Sequence, residues 1–103
     1  MEYLRAQSIQ TVVSNPQYLK IATEIEPKDI ETAKWQQQVL LAALEQTNKK
    51  LEDIIMQLRT LIKEDGSTAE LAQYRTELDS VRTEQQSRVY KLKRVNQYIL
   101  ESK

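Results

Sequence analysis

Lys91, Arg94 and Tyr98 follow one another at i, i+3 and i+7, so a helix through them carries two cations and a phenol on one face. They belong to the densest basic stretch of the chain, Arg88 to Arg94 with Lys91 and Lys93 between. Nucleic-acid binders use such cations to track phosphates and such rings to stack bases. A structural account competes with this one. Cations near the C-terminal end of a helix complement its dipole, and Glu24, Glu26, Asp29 and Glu31 can neutralise them from elsewhere in the chain. The charge balance favours the second account: 15 Lys and Arg offset 15 Asp and Glu, which leaves no net field to draw in a polyanion. Nucleic acid is not the expected partner.

Other chemistry is restricted by residues the chain lacks. Without His there is no imidazole base, no Ser-His-Asp arrangement and no imidazole metal ligand. Without Cys there is no thiol nucleophile, thiolate zinc site or disulfide. A single Gly cannot build a phosphate-cradling loop. A carboxylate metal site inside a helical bundle requires Asp or Glu at inward positions, and the inward positions identified below hold none. No cofactor, no metal and no enzymatic activity are expected.

The elements that would position any remaining functional residues are helical. Among 103 residues there are one Gly, two Pro and no Phe, while Leu, Gln, Glu, Lys, Ala and Arg abound, as in long helices. One domain of this length buries a smaller share of its surface than a larger one, so stabilisation from a partner is plausible. The longest wholly apolar run, Val39 to Leu44, is far short of the ~20 residues a membrane span needs. The start, Met1-Glu2-Tyr3-Leu4-Arg5, has no basic and then apolar leader pattern. The expectation is a soluble, intracellular, all-α chain.

Pro16, Pro27 and Gly66 punctuate it. Residues 1–26 are expected to form two short helices. The first, about 2–13, carries Leu4, Ile9, Val12 and Val13. The second is capped by Asn15 with Pro16 at its first position, where the missing N–H is not needed, and it aligns Tyr18, Ile21, Ala22 and Ile25 on one face. A long helix over 27–64 is expected to begin at Pro27, with Asp29 and Glu31 suiting the positive end of its dipole. Residues 65–67 make a turn in which Gly66 is expected to take the left-handed conformation. Ser67-Thr68-Ala69-Glu70 then matches a capping box that opens a second long helix over 68–102.

Both long helices are heptadic. Ile30, Gln37, Leu44, Leu51 and Leu58 occupy a, and Ala33, Leu40, Thr47, Ile54 and Leu61 occupy d; the second helix has Leu71, Leu78, Gln85, Leu92 and Ile99 at a and Tyr74, Val81, Arg88 and Val95 at d. A short connection makes the two antiparallel neighbours, and at 1.5 Å per residue each arm should reach ~50 Å. Folding the chain back at Gly66 pairs Leu61 with Leu71, Leu58 with Tyr74, Ile54 with Leu78, Leu51 with Val81 and Leu40 with Leu92. The same fold-back sets Thr47 against Gln85, with Asn48 and Arg88 nearby, so the polar exceptions meet. Such a layer penalises a shifted register if its groups are hydrogen-bonded, and is a wet gap if they are not. The predicted fold is a long antiparallel, coiled-coil-like hairpin whose open end becomes a three- to four-helix head.

Two apolar stripes exceed what a two-helix seam requires. Ile55 and Ile62 widen the face formed by Leu51 and Leu58 near the turn. At the other end Trp35, Val39 and Ala42 form a stripe opposite the seam, which either the N-terminal helices cover or a partner anchors on, Trp being frequent at interface hot spots. Leu51, Ile55, Leu58 and Ile62, with Trp35 and Val39, are therefore the candidate interface. The expected role is a structural or adaptor subunit that joins other helices, in a homo-oligomer or a heteromeric complex. The alternative is a small holding chaperone that shields a client's apolar surface.

Overall fold

The structure, a computed structural model, describes residues 2–102; Met1 and Lys103, the ends of the expected domain, lie outside the described residues. In chain order the helices are α1 (Glu2–Ala6), α2 (Ile9–Ser14), α3 (Pro16–Glu24), α4 (Ile30–Lys63) and α5 (Thr68–Glu101), with no strand among the described residues. The long pair α4 and α5 forms the helical hairpin that the heptads predict, with short N-terminal helices packed on it.

Local chemistry sets most boundaries. The first stretch is two helices rather than one, because Ser8 is extended and its Oγ accepts the Thr11 N–H at 3.1 Å, starting α2 afresh. Asn15 caps α3 as expected, its Oδ1 accepting from the N–H groups of Gln17 at 3.0 Å and Tyr18 at 3.3 Å. Pro27 does not open α4. Asp29 does, accepting the Thr32 N–H at 2.7 Å, and that hydrogen bond holds the Asp29 carboxyl below its ordinary value.

The turn corrects a second expectation. Asp65, with φ of 52°, is the left-handed residue, and Gly66 is not. The Gly66 N–H donates to the Leu61 carbonyl at 2.7 Å and the Asp65 N–H to that of Ile62 at 3.4 Å, the paired bonds of a Schellman ending. Gly66 is needed for space instead: a Cβ there would stand 2.8 Å from Leu61 Cδ2 and 3.1 Å from the Leu61 carbonyl oxygen. Ser67 Oγ accepts the Glu70 N–H at 3.2 Å, supplying one half of the capping box. Asp65→Gly is thus expected to raise stability by ~0.5–1 kcal/mol by relieving a non-glycine left-handed residue. Gly66→Ala is expected to lower it by ~1–3 kcal/mol through overpacking. Urea midpoints at unchanged slope measure both.

The chain divides into two compact units, a head made of residues up to Leu44 together with those from Arg88 onward, and a turn unit of Glu45–Ser87. The head core has two parts. Val12 and Val13 of α2, Ala22 of α3 and Val39 and Ala43 of α4 are buried together, with Ile9, Tyr18, Leu19, Trp35 and Ala42 packed around them. Ala33 and Leu40 of α4 meet Val95 of α5, flanked by Leu92, Tyr98 and Ile99. The head segment of α4 is therefore covered on two sides, and the stripe opposite the seam is closed by the chain's own N-terminal helices. Val39 is fully buried, and Trp35, half-buried, packs against the same cluster, so these two of the expected interface residues face the chain's own N-terminal helices.

Candidate interaction surface

Within the turn unit the seam positions other than Thr47 and Gln85 are apolar, yet among the described residues no apolar side chain of Glu45–Ser87 is fully buried; Thr47 is the buried residue there. Leu51, Ile54, Leu58 and Leu61 of α4 and Leu71, Tyr74, Leu78 and Val81 of α5 are all half-buried. Two helices laid side by side shield only the line along which they touch, so each such residue keeps part of its surface in water. On α4 the shortfall is widest. Ile55 is half-buried, Ile62 is 64% exposed and Met56 is 65% exposed. Leu51, Ile55, Leu58 and Ile62 fall at i, i+4, i+7 and i+11, one continuous stripe along the helix.

Burying apolar surface returns ~25 cal/mol for each Å² removed from water. A stripe of this kind gains stability when another apolar face covers it.

The polar residues expected to set the register are distributed between the units. In the turn unit Gln85 Nε2 donates to Asn48 Oδ1 at 2.7 Å, and Thr47 is fully enclosed. In the head, Arg88 donates from Nη1 to the Ala43 carbonyl at 3.0 Å. The head also holds a pair that the heptads flagged only as an exception at Gln37, whose Nε2 donates to Asn96 Oδ1 at 2.6 Å. Each of these bonds joins α4 to α5, and a shift of one helix along the other would break it.

Sequence reasoning missed Gln36. It is 1% exposed, and its Nε2 donates to the carbonyls of Ala22 at 3.0 Å and Ile25 at 2.6 Å. Those carbonyls belong to the C-terminal end of α3, which has no basic residue in its last turn. The amide thus supplies donors that a helix end otherwise lacks and ties α3 to α4.

The basic and aromatic face of α5 borders a cleft of about 380 Å³ inside the head, where Lys91, Arg94 and Tyr98 share the lining with Glu24, Glu26 and Glu101. Arg94 is ion-paired with Glu26 at 3.3 Å, both exposed, and Arg5 lies 3.8 Å from Glu31. The Arg94–Glu26 pair is the neutralisation that the fold-back predicts, whereas Glu31 is taken up by Arg5 of α1.

Among the described residues no helix is long and apolar enough to cross a membrane. Compared with known proteins, the chain matches no family model, no curated protein and no solved structure.

Proposed function

We propose that the chain is a non-enzymatic structural or adaptor subunit that joins helices of another polypeptide through the turn-unit face of α4. The observation that carries this reading is the half-exposed run of Leu51, Ile55, Leu58 and Ile62 in a unit that encloses no apolar side chain among its described residues. A contiguous apolar stripe of this kind marks an interaction site. Helix-on-helix packing is the occupant that fits a straight 4-3-4 spacing. A second reading, a holding chaperone, draws on the exposed thioether of Met56 beside the stripe, because Met adapts to many surfaces.

Sedimentation across a concentration series tests the first reading. The wild-type chain is expected to associate at micromolar concentration or above, and Ile55→Lys with Ile62→Lys to leave a helical monomer. A cooperatively folded monomer throughout would sink self-association. Exchange protection at Ile55 and Ile62 that arises only on adding an unfolded client would favour the chaperone.

A further inference from the structure

We propose that the occupant of the α4 stripe is a second copy of the same helix, antiparallel and related by a two-fold axis; this deepens the functional reading above and rests on it. The stripe is short and bounded. Asn48, exposed, precedes it in the same column, and α4 ends at Lys63 just after Ile62. Its spacing of 4, 3 and 4 reads the same in both directions, so an antiparallel copy sets Leu51 against Ile62 of the second copy and Ile55 against Leu58 of the second copy. Sliding by one heptad toward the end of α4 strands half of these side chains in water, and sliding the other way sets Leu58 against Asn48 of the second copy.

Charge selects the direction. Glu52 and Arg59 lie along one edge of the stripe, each one residue beyond Leu51 and Leu58. Both are exposed, and neither makes an ion pair among the described residues. In the antiparallel register Glu52 runs beside Arg59 of the second copy, and the two-fold axis makes this pair twice. In a parallel arrangement each would instead face the apolar flank at Ile54 and Leu61, with no opposite charge to meet. The other edge of the stripe is the seam with α5, whose nearest flank carries exposed Arg75 and Arg82. Exposed Asp79 stands between them at i+4 from Arg75, so this flank is a charged border to the α4 contact and not an apolar extension of it. Four apolar side chains per copy cover less than the ~800 Å² per partner of a standard stable interface, so the dimer is reversible and concentration-dependent.

The test is a charge swap read by sedimentation from micromolar to several hundred micromolar, with circular dichroism confirming unchanged helicity. The wild-type chain is expected to pass from monomer to dimer. Glu52→Arg alone, or Arg59→Glu alone, is expected to weaken the dimer about tenfold, because two attractive pairs become two like-charge pairs. The double variant Glu52→Arg with Arg59→Glu is expected to return to wild-type association. A wild-type monomer at every concentration, single swaps without effect, or a double swap that fails to restore association each overturns the antiparallel pairing. Association that ignores the swaps but is lost with Ile55→Lys and Ile62→Lys overturns the pairing alone and leaves the functional reading standing. Association that ignores both sets of changes overturns the functional reading as well.

Discussion

Val39→Asp is expected to cost ~4–5 kcal/mol and to abolish the native signal of the head at modest denaturant. Val39 is fully buried in a cluster with Val12, Val13, Ala22 and Ala43, whose members carry no cation to compensate a carboxylate. A charge buried without a partner stands among the few causes of losses this large. Against a total of ~5–15 kcal/mol for a native domain, it removes much of what holds the N-terminal helices to α4. Trp35 is the chain's one tryptophan and packs on the same cluster, so its fluorescence during a urea titration reports this event directly. Leu58→Ala is the control. That side chain is only half-buried in the turn unit, and its truncation is expected to cost ~1 kcal/mol, below the range of fully buried leucines. A Val39→Asp transition within ~1 kcal/mol of wild type would show that α2 and α3 do not pack on α4.

The parts of this fold that are legible in the sequence are those carried by period or by local hydrogen bonding. The two heptads give the hairpin because a seam repeats every turn or so and survives single exceptions. Asn15-Pro16 gives the start of α3 because a cap needs only its own neighbours. Asn48 and Gln85 are predicted close together by fold-back alone, and they bond. Where a choice depends on which of two distant surfaces arrives first, the sequence is silent. Trp35 and Val39 fit an internal stripe, the expected case, but also an external anchor until α2 and α3 are placed. The turn is misread for a steric reason: Gly66 is demanded by the approach of Leu61, while Asp65 tolerates the left-handed conformation that glycine usually supplies. In the stripe of Leu51, Ile55, Leu58 and Ile62, periodicity reveals the surplus of apolar surface, and the exposed edge charges Glu52 and Arg59 carry what information there is about its occupant.

Gln36→Leu is the second large loss, expected at ~2–4 kcal/mol, and the reason it escapes sequence reading is also the reason it matters. Gln36 sits beside the seam on α4, where a polar residue ordinarily faces water, but the N-terminal helices turn that position inward. The substitution fills similar space with an apolar side chain and removes the buried bond to the Ala22 carbonyl and the part-buried bond to that of Ile25. An unmet buried acceptor costs ~1–3 kcal/mol, and loss of the buried, unpartnered Gln36 Oε1 offsets part of this. Gln36→Glu separates lost hydrogen bonds from lost packing. At neutral pH a carboxylate would face the Ala22 and Ile25 oxygens with no proton to offer, a worse arrangement than leucine. Burial and those oxygens push such a carboxyl above its ordinary range. A group whose folded-state value is raised contributes stability below its unfolded value and loses it as pH rises through the folded one. The gap in stability between Gln36→Glu and wild type is therefore expected to narrow as pH falls from 7 toward ~4, where the protonated acid can donate one of the two bonds. The gap between Gln36→Leu and wild type should stay constant over the same range. A Glu variant whose deficit is independent of pH would mean that the amide acts by filling space and that the α3 carbonyls have other donors.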